Sequence, residues 1–116
     1  VMDLDISGGH GYQRKIIRRT IDYFILTQMG YPVDFSLIVK LKNLKDCYGY
    51  TEEIADEVYM VGIDKSLIIR DMVATMIHEM IHVRQYFTRQ WVGDGEQEAC
   101  NLQRTLADKM WKDNWI

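Results

Sequence analysis

Two histidines four residues apart, His78 and His82, enclose Glu79 in the run His-Glu-Met-Ile-His, within the stretch that most plainly reads as a buried helix. On an α-helix such a pair lies on one face, about 6 Å apart along the axis, so both imidazoles can converge on one ion. Glu79 falls on the adjoining face, beside the place where a water held by that ion would sit. This H-E-x-x-H spacing offers two nitrogen ligands for Zn²⁺ and a carboxylate placed as general base. The chain has 3 histidines, and the pattern uses two of them. Around them Val73, Met76, Ile77, Met80, Ile81 and Val83 form a wide apolar surface. A helix of that kind is covered on more than one side.

The 116 residues suit one domain over 1–116 with a single modest core. Hydrophobic residues make up 47% and Pro occurs once, which argues against disorder. A net charge of −3 gives no basic footprint for nucleic acid. The one dense positive run, Arg14, Lys15, Arg18 and Arg19, reads as the solvated face of a helix. No apolar run has the length of a membrane span, and the start lacks the apolar region of a secretion signal, so a soluble chain is expected. Cys47 and Cys100 are too few for a disulfide framework. They are expected as free, buried or half-buried thiols, which suits a reducing, cytoplasmic setting.

Residues 1–11 are polar and Gly-rich, and read as a flexible arm. From 12 to 29, Ile16, Ile17, Thr20, Ile21, Phe24, Ile25 and Gln28 recur at helical spacing, closed by Gly30 and then Pro32. The period changes to two over 33–41, where Val33, Phe35, Leu37, Val39 and Leu41 mark a half-buried strand. A short second strand is expected at 47–51 and a third at 57–64, with Leu67 to Ile69 extending it or opening the next helix. The helix bearing the two histidines spans 71–89. After Gly93-Asp94-Gly95 a last helix runs over 96–111, with Ala99, Leu102, Leu106, Met110 and Trp111 as its apolar residues. The expected class is α+β: an N-terminal helix, a small three-stranded sheet, then two helices packed on it.

Structural zinc sites close with four protein ligands, whereas catalytic ones use three and keep a position for water. The chain has no Cys pair for a closed site, and His10 lies on the expected arm, so the third ligand should be a carboxylate. Glu96 begins the last helix 14 residues past His82. A hairpin at the glycines would aim it at the same point, with Glu98 and Asp94 as rivals. In such a site the ion makes a bound water acidic near pH 7 and steadies the oxyanion. Glu79 takes the proton and passes it to the departing amine.

With those residues in place, the run from Thr75 to Val83 resembles the active-site helix of the gluzincin zinc metallopeptidases. Glu96-Gln97-Glu98-Ala99-Cys100 is similar to their glutamate helix, written E-x-x-A-D in many members. In size and element order the chain resembles the small single-domain minigluzincins. The resemblance implies peptide hydrolysis at one Zn²⁺ bound by His78, His82 and Glu96, with Glu79 as base. It also implies an extended peptide or protein substrate paired along an edge strand, at 57–64 or 47–51. The chain departs from the family where Cys100 replaces the Asp that orients a ligand His, and Asn101 points elsewhere. Either another group orients the histidine, or Glu96 is not the ligand. Metzincins need Gly and His where this chain has Gln85 and Thr88. Proteases with a later third His do not fit, and an Asp94-liganded type is a minor option.

Tyr48, Tyr50, Tyr59 and Tyr86 are candidate oxyanion donors, although packing is the commoner role for each. Arg84 and Arg89 could meet a substrate carboxylate but read as surface charge, and Trp91, Trp111 and Trp115 read as packing between the last two helices. Two other functions fit the same residues. One is a catalytically weak zincin-fold domain that binds proteins. The other is a small structural α+β domain without metal.

Overall fold

The computed structural model describes residues 2–30 and 33–115. In chain order the elements are β1 (Asp3–Gly8), α1 (Gly11–Phe24), β2 (Ser36–Lys42), β3 (Gly49–Ala55), β4 (Val58–Asp64), α2 (Ile69–Thr88) and α3 (Glu96–Lys112). The class is α+β, with three helices and a four-stranded mixed sheet of order β1-β2-β4-β3. The strands β1, β2 and β4 run parallel, and β3 is antiparallel to β4.

The fourth strand corrects the expectation of a flexible arm over 1–11. Leu4 and Ile6 stand opposite Leu37 and Val39 in the register with β2. Two apolar residues in six make a faint local signal, and the strand exists because a distant partner supplies its backbone hydrogen bonds. Arg14 ties the turn that follows, donating to the carbonyls of Gly8 at 2.8 Å and Gly9 at 2.9 Å. His10 caps α1, with its backbone N–H on Gln13 Oε1 at 2.8 Å.

The helix expected over 12–29 is α-helical only to Phe24, after which Ile25–Met29 form a π-helical turn. Gly30 ends it at φ 81, with its N–H on the Ile25 carbonyl at 2.6 Å. Pro32, expected to reinforce this stop, lies outside the described residues. Asp64 Oδ1 accepts from the Ser66 backbone and hydroxyl, turning the chain after β4. Ile69 therefore opens α2 and does not extend the strand.

Leu37, Val39, Leu41, Tyr59, Val61 and Ile63 line one face of the sheet. They join Ile17, Ile21 and Phe24 of α1 and Met72, Met76, Ile77, Met80 and Ile81 of α2 in one core. Gly62 faces the other way, where the Tyr50 ring occupies the space a Cβ would need. Strand β4 is paired on both sides, so residues 57–64 are not an edge. Strand β3 pairs only with β4 among the described residues, which leaves it as the edge beside α2. It runs over 49–55, past the expected 47–51, because Glu52, Glu53 and Ile54 carry no apolar alternation to read, Ile54 and Ala55 being exposed.

Trp115 also departs from expectation. Its ring packs on Tyr23, with centroids 5.4 Å apart, and its indole N–H donates to the Arg19 carbonyl at 2.7 Å, so it fastens the chain end to α1. Trp111 does lie between α2 and α3, beneath Arg70 of α2. Both cysteines are free and exposed rather than buried. No helix among the described residues is long and apolar enough to cross a membrane.

Candidate metal centre

Helix α2 carries His78, Glu79 and His82 in its third and fourth turns, pinned by the apolar faces around them. After α2, Arg89 takes a left-handed φ of 57 and Gly95 a φ of 80, which return the chain so that α3 lies along α2. Asp94 Oδ1 accepts from the Glu96 N–H at 3.0 Å, an Asx-type turn just ahead of the Gly95 N-cap of α3. Glu96 thus stands at the head of α3, facing the histidine pair.

His82 Nε2 lies 3.3 Å from His78 Nε2 and 2.7 Å from Glu96 Oε1, and His78 Nε2 lies 3.2 Å from Glu96 Oε2. Donors bound to a tetrahedral zinc at about 2.0–2.1 Å are about 3.3 Å from one another. Two imidazole nitrogens and a carboxylate at these separations fit Zn²⁺ as donor type and as spacing. Cys100 Sγ stands 4.0 Å from Glu96 Oε2, one turn along α3. His78, Glu96 and Cys100 form a looser group, with atoms up to 4.8 Å apart. The two imidazoles with Glu96 are the tighter trio, and the thiol lies beside it.

The rivals for the third position face elsewhere. Glu98 accepts from Gln85 Nε2 at 2.8 Å and pairs with Arg84 at 3.4 Å. Asp94 lines the cleft, but its Oδ1 is taken up by the Glu96 N–H.

Glu79 is 5% exposed, set between α2 and the edge strand. Thr51 Oγ1 of β3 donates to its Oε1 at 2.7 Å. A Cβ at Gly49 would stand 3.2 Å from Glu79 Oε2, so the missing side chain there leaves the carboxylate its room. Burial pushes the Glu79 carboxyl above its ordinary range; the Thr51 hydrogen bond and the two imidazoles oppose this, while the Glu96 carboxylate adds to it. A carboxylate made more basic in this way is suited to accepting a proton. One hollow on this side is lined by Gly49, Thr51, Glu79, Tyr86 and Glu96, and a second by Tyr48, Thr75, His78 and Gln103. They meet at Gly49, His78 and Glu79, so the cleft extends to both sides of the carboxylate along β3.

Of the tyrosines, Tyr86 and Tyr50 line the first hollow, Tyr50 also packing over Gly62, Tyr48 lines the second and is exposed, and Tyr59 is buried in the core. Arg89 is held by both oxygens of Glu53, at 2.9 and 2.7 Å, and Arg84 by Glu98. Trp91 is half exposed and meets the Tyr86 ring edge-on rather than filling the gap between helices.

Three residues with site contacts carry no signal in the short pattern. They are Thr51 on Glu79, Gln103 on His78 Nδ1 at 2.6 Å, and Gln85 on His82 Nδ1 at 2.9 Å. Helical spacing could have found two of them. Gln85 follows His82 by three positions, and Gln103 follows Glu96 by seven, each on the same face as its leader. Gln85 also donates to the Gly95 carbonyl at 3.0 Å, and its Oε1 fills the space a Cβ at Gly95 would take. Gly95→Ala is expected to destabilise the fold by roughly 2–4 kcal/mol, from the left-handed backbone and the displaced Gln85. Urea unfolding measures this, and a loss under 0.5 kcal/mol would mean that the loop rearranges freely.

No protein-family model, curated protein or solved structure matches this chain.

Proposed function

We propose that the chain is a zinc-dependent metallopeptidase of the gluzincin type, small and minigluzincin-like, with Zn²⁺ held by His78, His82 and Glu96. The observation that carries this reading is the meeting of two imidazole Nε2 atoms and a carboxylate from a second helix within 2.7–3.3 Å. Bound there, zinc would supply a Lewis acid that makes water acidic near neutral pH and stabilises developing negative charge. The chain's own residues account for the rest. Glu79, adjacent and buried, accepts the proton of the attacking water and delivers it to the leaving amine. Thr51 orients that carboxylate from the edge strand. A peptide or protein substrate, extended and antiparallel or parallel to β3, would bring its carbonyl into the cleft beside Glu79. A net charge of −3 favours no nucleic-acid partner. A cytoplasmic setting accords with two exposed free thiols.

Zinc binding is tested first by stability. Free zinc at about 100 times its Kd adds about 2.7 kcal/mol, which raises Tm on the order of 10 °C for a chain of this size. A chelator should return Tm to the metal-free value and stop cleavage of an unstructured protein substrate. An unchanged Tm in excess zinc would favour the metal-free structural domain instead.

A further inference from the structure

We propose that Gln85 and Gln103 are positioning residues that hold His82 and His78 as Nδ1–H tautomers, so that both Nε2 lone pairs are presented to the ion while neutral carboxamides stand behind the rings. The inference rests on the zinc reading above and adds two residues to it.

Gln85 fixes one half of the argument. It is 3% exposed, and its carboxamide meets three groups. Two of them, the Gly95 carbonyl at 3.0 Å and Glu98 Oε1 at 2.8 Å, are acceptors that can only be served by the amide nitrogen. The amide oxygen is thereby turned to His82 Nδ1 at 2.9 Å. An oxygen without hydrogen must receive a proton, so Nδ1 carries it, and Nε2, 2.7 Å from the Glu96 carboxylate, is the atom left to share an ion with that carboxylate. Gln103 presents its Oε1 to His78 Nδ1 at 2.6 Å, the same arrangement as at His82, and by analogy with Gln85 we assign that ring the same tautomer. A free histidine in water prefers the opposite tautomer, so the two glutamines choose the form that can bind metal.

The charge of the backing group matters as well. A carboxylate behind a ligand histidine makes the ring more basic, whereas a carboxamide fixes orientation without adding charge. Here neither histidine is backed by a carboxylate, and Cys100 of α3 contacts Glu96 rather than a ring. Gln103 occupies the position that orients His78 from two turns beyond Glu96.

The test reads the tautomers by two-bond ¹H–¹⁵N correlations in metal-free, histidine-labelled full chain carrying Glu96→Ala, at a pH where the imidazoles are neutral. The Glu96 carboxylate, 2.7 Å from His82 Nε2 and 3.2 Å from His78 Nε2, would itself hold a proton on those atoms when no ion is bound. Zinc competition against a chromophoric chelator is run in the chain that keeps Glu96. His78 and His82 should both show Nδ1–H as the main form. Gln103→Met keeps the side chain's shape and removes the acceptor. It should return His78 to mainly Nε2–H, leave His82 unchanged and weaken zinc binding about 10–100-fold. Gln103→Glu should restore the tautomer and bind zinc at least as tightly as the unaltered chain. Gln85 is buried, so Gln85→Met serves as a second variant only where its unfolding curve matches, and it should then shift His82 alone. Zinc bound with unchanged affinity and tautomer by Gln103→Met would overturn the positioning role and leave the zinc reading standing. The stated tautomers in a protein that takes up no zinc would support the positioning and overturn the zinc reading.

Discussion

Glu79→Gln is expected to reduce peptide cleavage about 10²–10⁴-fold while the protein still binds about one zinc per chain. The substitution exchanges a carboxylate oxygen for an amide nitrogen at a position 5% exposed to solvent. The remaining oxygen can keep the Thr51 hydrogen bond now made at 2.7 Å, so the side chain has no reason to leave its seat. What disappears is the ability to take a proton, which burial had enhanced by raising the carboxyl's affinity for it. Stability should be unchanged or higher, since a buried amide is less costly than a buried carboxylate. The comparison of activity with zinc content is what separates a peptidase from a zinc-fold domain that acts by binding. Equal activity in the variant would remove Glu79 from the base role. Absence of cleavage in the unaltered zinc-loaded chain would favour the binding module.

The helices were legible in the sequence because their apolar residues repeat at a fixed period and their cores are local. Ile16, Ile17, Ile21 and Phe24 mark α1, and Val73, Met76, Ile77 and Met80 mark α2, all now buried together. Strands whose evidence lies in a partner were not legible in the same way. Strand β1 has only Leu4 and Ile6 to declare it, and it is completed by β2 across about thirty residues of chain. Strand β3 lies at the edge, where Ile54 is exposed and Glu53 half-buried, so its polar and apolar residues do not follow its two faces. The same division holds at the candidate site. His78 and His82 share one helical face, with Glu79 on the adjoining one, and could be read directly, whereas Gln103 comes from a sequence position chosen by how α3 docks. The likeness to E-x-x-A-D directs attention to Cys100, one turn after Glu96. The contact to His78 instead comes from Gln103, two turns after, because α3 runs alongside α2 and its second turn passes closer to that ring.

Glu96→Ala should weaken zinc binding by more than about 100-fold, beyond the losses typical of groups that merely support a ligand. Glu98→Ala should change it by less than about tenfold. The two residues are both acidic and both in the first turn of α3, so charge at the helix start is altered equally by either substitution. Their contacts differ. Glu96 places one oxygen 2.7 Å from His82 Nε2 and the other 3.2 Å from His78 Nε2, and its loss removes one of three donors. Glu98 is an acceptor for Gln85 and for Arg84, and is half exposed. Its pair with Arg84 is of the partly solvated kind that contributes about 0–1 kcal/mol. Gln85 keeps the Gly95 carbonyl when Glu98 is removed, so its amide stays turned and His82 stays in place. Zinc titrations of the two variants, beside urea unfolding to confirm that both are folded, decide between the carboxylates. A reversed order would transfer the ligand role to Glu98, and would require the Gln85 amide to give up the orientation that its three partners now impose.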